Sequence, residues 1–424
     1  MSVKSIKLAG VSGRALSIVA GVVFLLAVFF AAKWSFANVI AKRAPSKEVA
    51  ELSVSMAPRD PQTHYTLAIL SENTFSPEDL ALSLAEFEQA VALSPNDFRL
   101  WLAYGKALER SGDAASAELA LRKALKFAPS YSQVQWSLGN VLLRHGKSAE
   151  GFAEIRRAAE NDQTYRLPTV TTAWQIFGGD LAAVRQLLGD SAILNAPLAT
   201  FLAKQKRLDE AVEVWNALPA EDKKTVYKTE GGEILAQLTA AKKYRNAMRL
   251  QNDLSGKPAA EQFAVGKIFN GDFETDLPRL KASIFDWQVA DGAQPLIGPN
   301  NEQKHGGNLS IFIIFNSSDG KDFRQISQTV AVEPAKKYVF EGFYKSNLKT
   351  ASTLRWEIVD AADGKVLAAA SPLAANADWT GLTIPFAVSE TAEAVTLRLV
   401  REPCKSVICP ISGDVRFDDF SLRQ

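Results

Sequence analysis

The chain has 424 residues, a length that suits two or three domains rather than one. Its 48 basic and 47 acidic side chains leave a formal charge of +1, which gives no electrostatic footprint for nucleic acid. Apolar residues make up 47% of it, an ordinary globular share, so most of the chain can build cores.

The first 40 residues are different. Ala15 to Ala32 reads ALSIVAGVVFLLAVFFAA, 18 residues without a charge. As a helix it spans about 27 Å, close to the hydrocarbon thickness of a bilayer. Lys33 can snorkel and Trp34 suits the headgroup layer. Lys4, Lys7 and Arg14 precede the span, while Lys42, Arg43 and Lys47 follow it. The balance slightly favours a cytoplasmic N-terminus. This predicts a single transmembrane anchor over 1–37. A cleaved signal peptide is the rival reading, since Ser35-Phe36-Ala37 is a passable cleavage site, although the apolar stretch is longer than usual for one. A buried core helix is a third. The first two readings both put the bulk of the chain outside the cytoplasm, in the periplasm or, after cleavage, secreted.

Only two cysteines occur, Cys404 and Cys409, in EPCKSVICP. In an oxidising compartment they read as a disulfide closing a small loop; free thiols are the alternative. A metal site there would need more ligands than the local sequence offers.

Residues 38–61, with Pro45, Pro58 and Pro61, read as a linker. From 62 to 256 the pattern is helical and repeats. Its clearest copy is Phe98 to Tyr131, where Trp101, Tyr104, Gly105, Leu108, Gly112, Ala117, Leu121, Ala124 and Pro129 stand at regular offsets. Moving 34 residues on gives Leu138, Gly139, Leu142, Gly151 and Ile155; moving back gives Ser83, Phe87, Ala90 and Pro95. These offsets resemble the tetratricopeptide repeat. Small residues let two helices approach, large ones fill the gap, and each pair leaves an apolar face for the next. About five units are expected between 62 and 256, the later ones degenerate around Ala211, Trp215 and Ala247. Such stacks offer a groove for a peptide or protein segment. His64 and His145 read as satisfied surface histidines.

Near Gly266 the hydrophobic period changes from 3.6 to 2. Leu309, Ile311, Ile313 and Phe315 alternate, as do Leu354, Trp356 and Ile358, and Val395, Leu397 and Leu399; Asp319 to Asp322 reads as a turn. An all-β sandwich over 264–424 follows. It opens on KIFNGDFET, continues through FDW, VAVEPAKKYVFEGFYK and ADWTGLTIPF, and ends on VRFDDFSL. In this order the segments resemble the jelly-roll carbohydrate-binding modules of xylanases and cellulases. The resemblance implies a structural calcium ion between the first and last strands, with Glu274 and Asp419 at the matching positions and Asp272 and Asp418 as further candidates. Apolar alternation in the last strand slips at Asp418-Asp419, as a β-bulge requires. Paired carboxylates suit a hard cation; a solvated, charged edge is the other reading.

For sugar, aromatic faces are needed. Trp287, Tyr344 and Trp379 are the candidates, although Trp287 and Trp379 stand where such modules place packing aromatics. Trp356 is in phase with the core. Tyr338, Phe340 and Tyr344 share one strand face that reads as core or as platform. His305 lies in a loop composition, KHGGN. Neither a metal-ligand helix motif, a phosphate-cradling glycine loop nor a nucleophile elbow occurs, so no enzyme is expected.

The order anchor, helical repeats, jelly roll predicts a membrane-anchored scaffold. Its repeats would hold a protein partner and its sandwich a polysaccharide or envelope component, in exopolysaccharide production or export. The alternative is a purely structural protein–protein adaptor that binds no sugar.

Overall fold

The structure, a computed structural model, describes residues 11–74, 76–277, 282–320, 323–404 and 407–424. Lys4, Lys7 and the second half of the predicted turn, Lys321 and Asp322, lie outside the described residues. The chain divides into two compact units, 1–194 and 195–424.

The first unit is helical: α1 (Val11–Lys42), α2 (Lys47–Met56), α3 (Pro61–Glu72), α4 (Pro77–Leu93), α5 (Phe98–Ser111), α6 (Ala114–Phe127), α7 (Ser132–Arg144), α8 (Ser148–Asn161), α9 (Arg166–Ile176) and α10 (Leu181–Leu188). Local chemistry sets the starts. The carboxylates of Asp60, Asp97, Asp113 and Asp180 accept from the backbone N–H of Gln62, Arg99, Ser116 and Ala182, which are otherwise orphan donors. Gly112, at φ +89°, ends α5 in a left-handed cap. The small-against-large rule also holds. An ideal Cβ on Gly105 would fall 2.6 Å from Leu121 Cγ, and one on Gly139 would fall 2.6 Å from Ile155 Cγ1.

The stretch 38–61, read as a linker, is largely helical. α1 runs on to Lys42, and α2 fills 47–56. Ala37, Ala41 and Ala50 are buried, and Asn38 Nδ2 donates to Asp60 Oδ2 at 2.7 Å. Pro45 falls between helices and Pro61 at the first turn of α3, where no N–H is missed, so neither proline breaks a helix. Further up α1 the side chains from Arg14 to Ala32 are exposed, and the helix is long and apolar enough to cross a membrane.

α11 (Ala192–Lys204) spans the division between the units. The second unit continues with α12 (Leu208–Asn216), α13 (Ala220–Lys224), α14 (Lys228–Ala240) and α15 (Tyr244–Ser255). Counting α3 to α12 in pairs and then α14 with α15, six helix pairs stand between 61 and 255 among the described residues. The sequence reading placed no repeat at the pair α9–α10.

Ten strands follow: β1 (Gln288–Val289), β2 (Leu296–Asn300), β3 (Ser310–Ser317), β4 (Ile326–Ala331), β5 (Lys337–Thr350), β6 (Leu354–Asp360), β7 (Val366–Ala369), β8 (Asn376–Ala387), β9 (Ala394–Arg401) and β10 (Ile411–Arg423). They form two antiparallel five-stranded sheets, ordered β1-β4-β9-β6-β7 and β2-β3-β10-β5-β8. Inward residues alternate with outward ones, so Tyr338, Phe340 and Tyr344 enter the core while Val339, Glu341 and Phe343 face out. The aromatic centre is Trp356, with Trp287, Phe340, Phe417 and Phe420 around it at 5.1–6.0 Å between ring centroids. The last helix belongs to this body. Tyr244 Oη donates to the Ala361 carbonyl at 2.9 Å, and the Arg245 N–H to Glu393 Oε2 at 3.1 Å.

Candidate functional site

The opening segment KIFNGDFET forms no strand. Asn270 and Phe273 take left-handed backbone angles, φ +49° and +52°, and the Asn270 side chain closes the loop by bonding the N–H and carbonyl of Thr275. A Cβ on Gly271 would collide with the Phe420 carbonyl, and the Phe420 N–H donates to the Gly271 carbonyl at 2.8 Å. Asn-Gly here lets the chain lie against the last strand while Phe273 plugs the core beside Trp287.

The four acidic candidates sit around this junction. β10 slips register between Asp418 and Ser421, with Asp419 at φ +51°, so the predicted bulge is present. Asp418 is buried. Its Oδ2 accepts from the N–H groups of His305 and Gly306 at 2.8 and 3.1 Å, and its Oδ1 from that of Asp419 at 2.8 Å. Burial pushes the Asp418 carboxyl above the ordinary aspartate range; the three N–H groups oppose this, and the neighbouring Asp419 charge adds to it. Glu274 Oε1 accepts from the N–H of Leu309 and Asn308 at 3.0 and 2.5 Å, which lowers its pKa. Asp419 Oδ2 lies 2.6 Å from His305 Nδ1. Asp272 is exposed.

Glu274 and Asp419 therefore grip one strap, residues 305–309, from two sides, and Gly306 and Gly307 leave room for them. What faces their oxygens is a set of N–H donors. A calcium cage needs six to eight oxygens, and among the described residues no three acidic, His or Cys side chains converge as a metal would require. As arranged, these carboxylates make a hydrogen-bonded clip across the strap.

The sugar candidates part company. Trp287 is 1% exposed, with its indole N–H donating to the Asn270 carbonyl at 3.0 Å, and Tyr344 is 8% exposed, with its hydroxyl accepting from the Ala374 N–H. Both are core residues and present no ring face to a ligand, because inward alternation on β5 and the plug at Phe273 enclose them. Trp356 is likewise 1% exposed. Trp379 alone is half exposed. β8 carries an extra residue where its pairing jumps from Thr380 to Ala377, and Trp379 falls in that bulge.

Trp379 has company on the outer face of the second sheet. The His305 ring stacks on Phe343 with centroids 3.6 Å apart, and Trp379 meets His305 edge-on at 5.7 Å. Alongside, Gly298, Phe312, Arg416 and Lys345 form one row across β2, β3, β10 and β5. Arg416 pairs with Asp414, and Lys345 Nζ lies 2.8 Å from Asp378, whose pKa that contact lowers. Arg416 Nε is buried without a partner among the described residues. Aromatic surface beside fixed donors and acceptors is what a ring with apolar faces and polar edges requires. Sequence reading missed Phe343 and His305. The signal for Phe343 was present, since it is out of phase with Tyr344; His305 reaches the face only through its clip to β10.

Cys404 and Cys409 are joined as a disulfide between β9 and β10, with Cα atoms 6.1 Å apart. His64 is buried rather than superficial, held by Glu86 and the Pro58 carbonyl at 2.5 and 3.0 Å, because α3 packs that face on α4. His145 bonds Glu118 at 3.0 Å.

No family model matches the chain, and no curated protein sequence does. Solved structures match its parts. One described as "CBM4 structure and function" aligns over 37% of this chain and 97% of its own, at 17% identity and a TM-score of 0.27. The CBM22-1–GH10 modules of Clostridium thermocellum endo-1,4-beta-D-xylanase 10B, complexed with xylohexaose, align over 38% of this chain and 29% of theirs, at 16% identity and a TM-score of 0.26. MamA, residues 41 to its end, from Desulfovibrio magneticus RS-1, aligns over 37% of this chain and 94% of its own, at 19% identity and a TM-score of 0.32. Among the described residues the chain joins helix pairs to a β-sandwich of two antiparallel five-stranded sheets, behind one apolar N-terminal helix.

Proposed function

We propose that this protein is a membrane-tethered, extracytoplasmic binding scaffold that performs no chemistry. In this reading α1 crosses the bilayer, the helical unit holds a segment of a protein partner, and the outer face of the second sheet takes a polysaccharide. The disulfide suits an oxidising compartment, and exopolysaccharide production or export is the setting that such an architecture fits. The observation that carries the sugar part is the Phe343–His305–Trp379 group beside the Arg416 and Lys345 ion pairs. The test is electrophoresis of the full chain, in detergent, through gels containing glucans, xylan and bacterial exopolysaccharides. Retardation by at least one glycan, lost in Trp379→Ala, supports it. Unchanged mobility across the panel removes the sugar part.

A second reading, the pure adaptor, draws support from the burial of Trp287 and Trp356, which leaves one tryptophan of three for a ligand. It requires a stoichiometric protein partner on co-purification and no glycan. Calcium enters the proposal only as an ion that would displace the N–H contacts of Glu274 and Asp419, and melting with and without calcium tests it.

A further inference from the structure

In the first unit two shallow cavities of about 320 and 390 Å³ run along the helices that open each pair. Tyr65, Phe98, Tyr131 and Tyr165 recur at spacings of 33, 33 and 34 residues, so each successive pair contributes one aromatic ring. Phe98 meets Tyr131, and Trp136 meets Tyr165, each with centroids 5.1 Å apart. The first cavity holds Tyr65, Phe98 and Tyr131, the second Trp136 and Tyr165. Both are lined by Lys106 and Gln133, where they meet.

Arg99, Lys106, Arg110, Arg144 and Glu109 are the charged residues that line this surface. The three arginines are matched, by Asp97, Glu72 and Glu109. Lys106 is not. Among the described residues neither Lys106, which is half-buried, nor Gln133 has a hydrogen-bond or ion-pair partner. A half-buried ammonium between two aromatic pockets is electrostatically complementary to a carboxylate. Neighbouring helices pack about 8–10 Å apart and an extended chain rises about 3.3 Å per residue, so a peptide crosses one unit in about three residues.

We propose that this groove binds an extended segment of a partner protein in which an Asp or Glu is flanked, about three residues away on each side, by an apolar or aromatic residue. The carboxylate meets Lys106 Nζ and the Gln133 amide, and the flanking side chains enter the two cavities. This rests on the reading of the helical unit as the protein-binding part and names the chemistry of its partner.

The first test uses fluorescein-labelled FSSESSW and its counterparts with Gln or Lys at the centre, titrated against the full chain in detergent micelles. The Glu peptide should bind about ten-fold tighter than the Gln peptide, the Lys peptide weakest, with the preference shrinking as salt rises. Lys106→Gln should abolish the preference while leaving the melting temperature unchanged, because the Lys106 side chain has no hydrogen-bond or ion-pair partner among the described residues. Equal binding of the Glu and Gln peptides, no binding of any, or a preference that survives Lys106→Gln overturns the proposal. The second test places a photo-crosslinking residue at 133 in the full chain in its own cells and sequences the captured segment. An acidic residue flanked by apolar ones supports the proposal. A captured segment without an acid overturns it while sparing the protein-binding reading; capture of no polypeptide overturns both.

Discussion

The helical unit and the sandwich bury their apolar surface by different means. In the helices the contact is local and recurs: Gly105 lies under Leu121, and the same pairing returns 34 residues later as Gly139 under Ile155. In the sandwich, Trp356 collects Trp287, Phe340, Phe417 and Phe420 from three other segments, and nothing repeats. Damage should therefore stay near its site in a stack of helix pairs and spread through a sandwich.

Trp356→Ala tests the difference hardest. It should cost about 3–5 kcal/mol and remove the β signal in one step during urea unfolding followed by near-ultraviolet dichroism. Leu138→Ala in α7 should cost about 2–5 kcal/mol yet unfold in stages, with helical signal from distant pairs persisting. A staged loss in the first or an all-or-none loss in the second would erase the contrast. Next in size is Gly105→Ala, which overpacks the Leu121 contact by about 1–3 kcal/mol, read as a lower urea midpoint.

Electrostatics sharpen the picture further. Glu118 is gripped by Lys147, Arg122 and His145, and the Lys147 hydrogen bond leads in lowering its pKa to about 2. The unfolded chain holds this carboxyl near 4.5, so its stabilising contribution is complete above about pH 4.5 and fades as pH falls toward 2. Glu118→Gln should flatten that part of the acid slope of helical unfolding without touching the β signal. Trp379→Ala should change stability by less than about 0.5 kcal/mol while removing glycan retardation. Calcium should move the melting temperature by less than about 1 °C, because N–H donors already satisfy Glu274 and Asp418; a rise of several degrees would show an ion replacing the clip.

Where residues act through near neighbours, the sequence sufficed. Period 3.6 and the recurrence of small and large residues gave the helix pairs, period 2 gave the strands, and the phase slip at Asp418-Asp419 gave the bulge. The helical content of 38–61 was not legible because prolines mark helix starts as readily as breaks. Trp287 and Tyr344 were ambiguous for a related reason: an aromatic ring suits a core and a platform equally, and only the partner sheet decides which.

What the sequence alone determined is the order of parts: an apolar helix, stacked helix pairs, a sandwich and one cysteine pair. Each follows from periodicity or composition over a short span. Only the tertiary structure could show that Glu274 and Asp419 both bond the strap at 305–309, that His305 covers Phe343 beside Trp379, and that Lys106 stands between two aromatic pockets with no partner among the described residues. Those facts depend on residues brought together by chain closure, and no local pattern encodes which face will meet which.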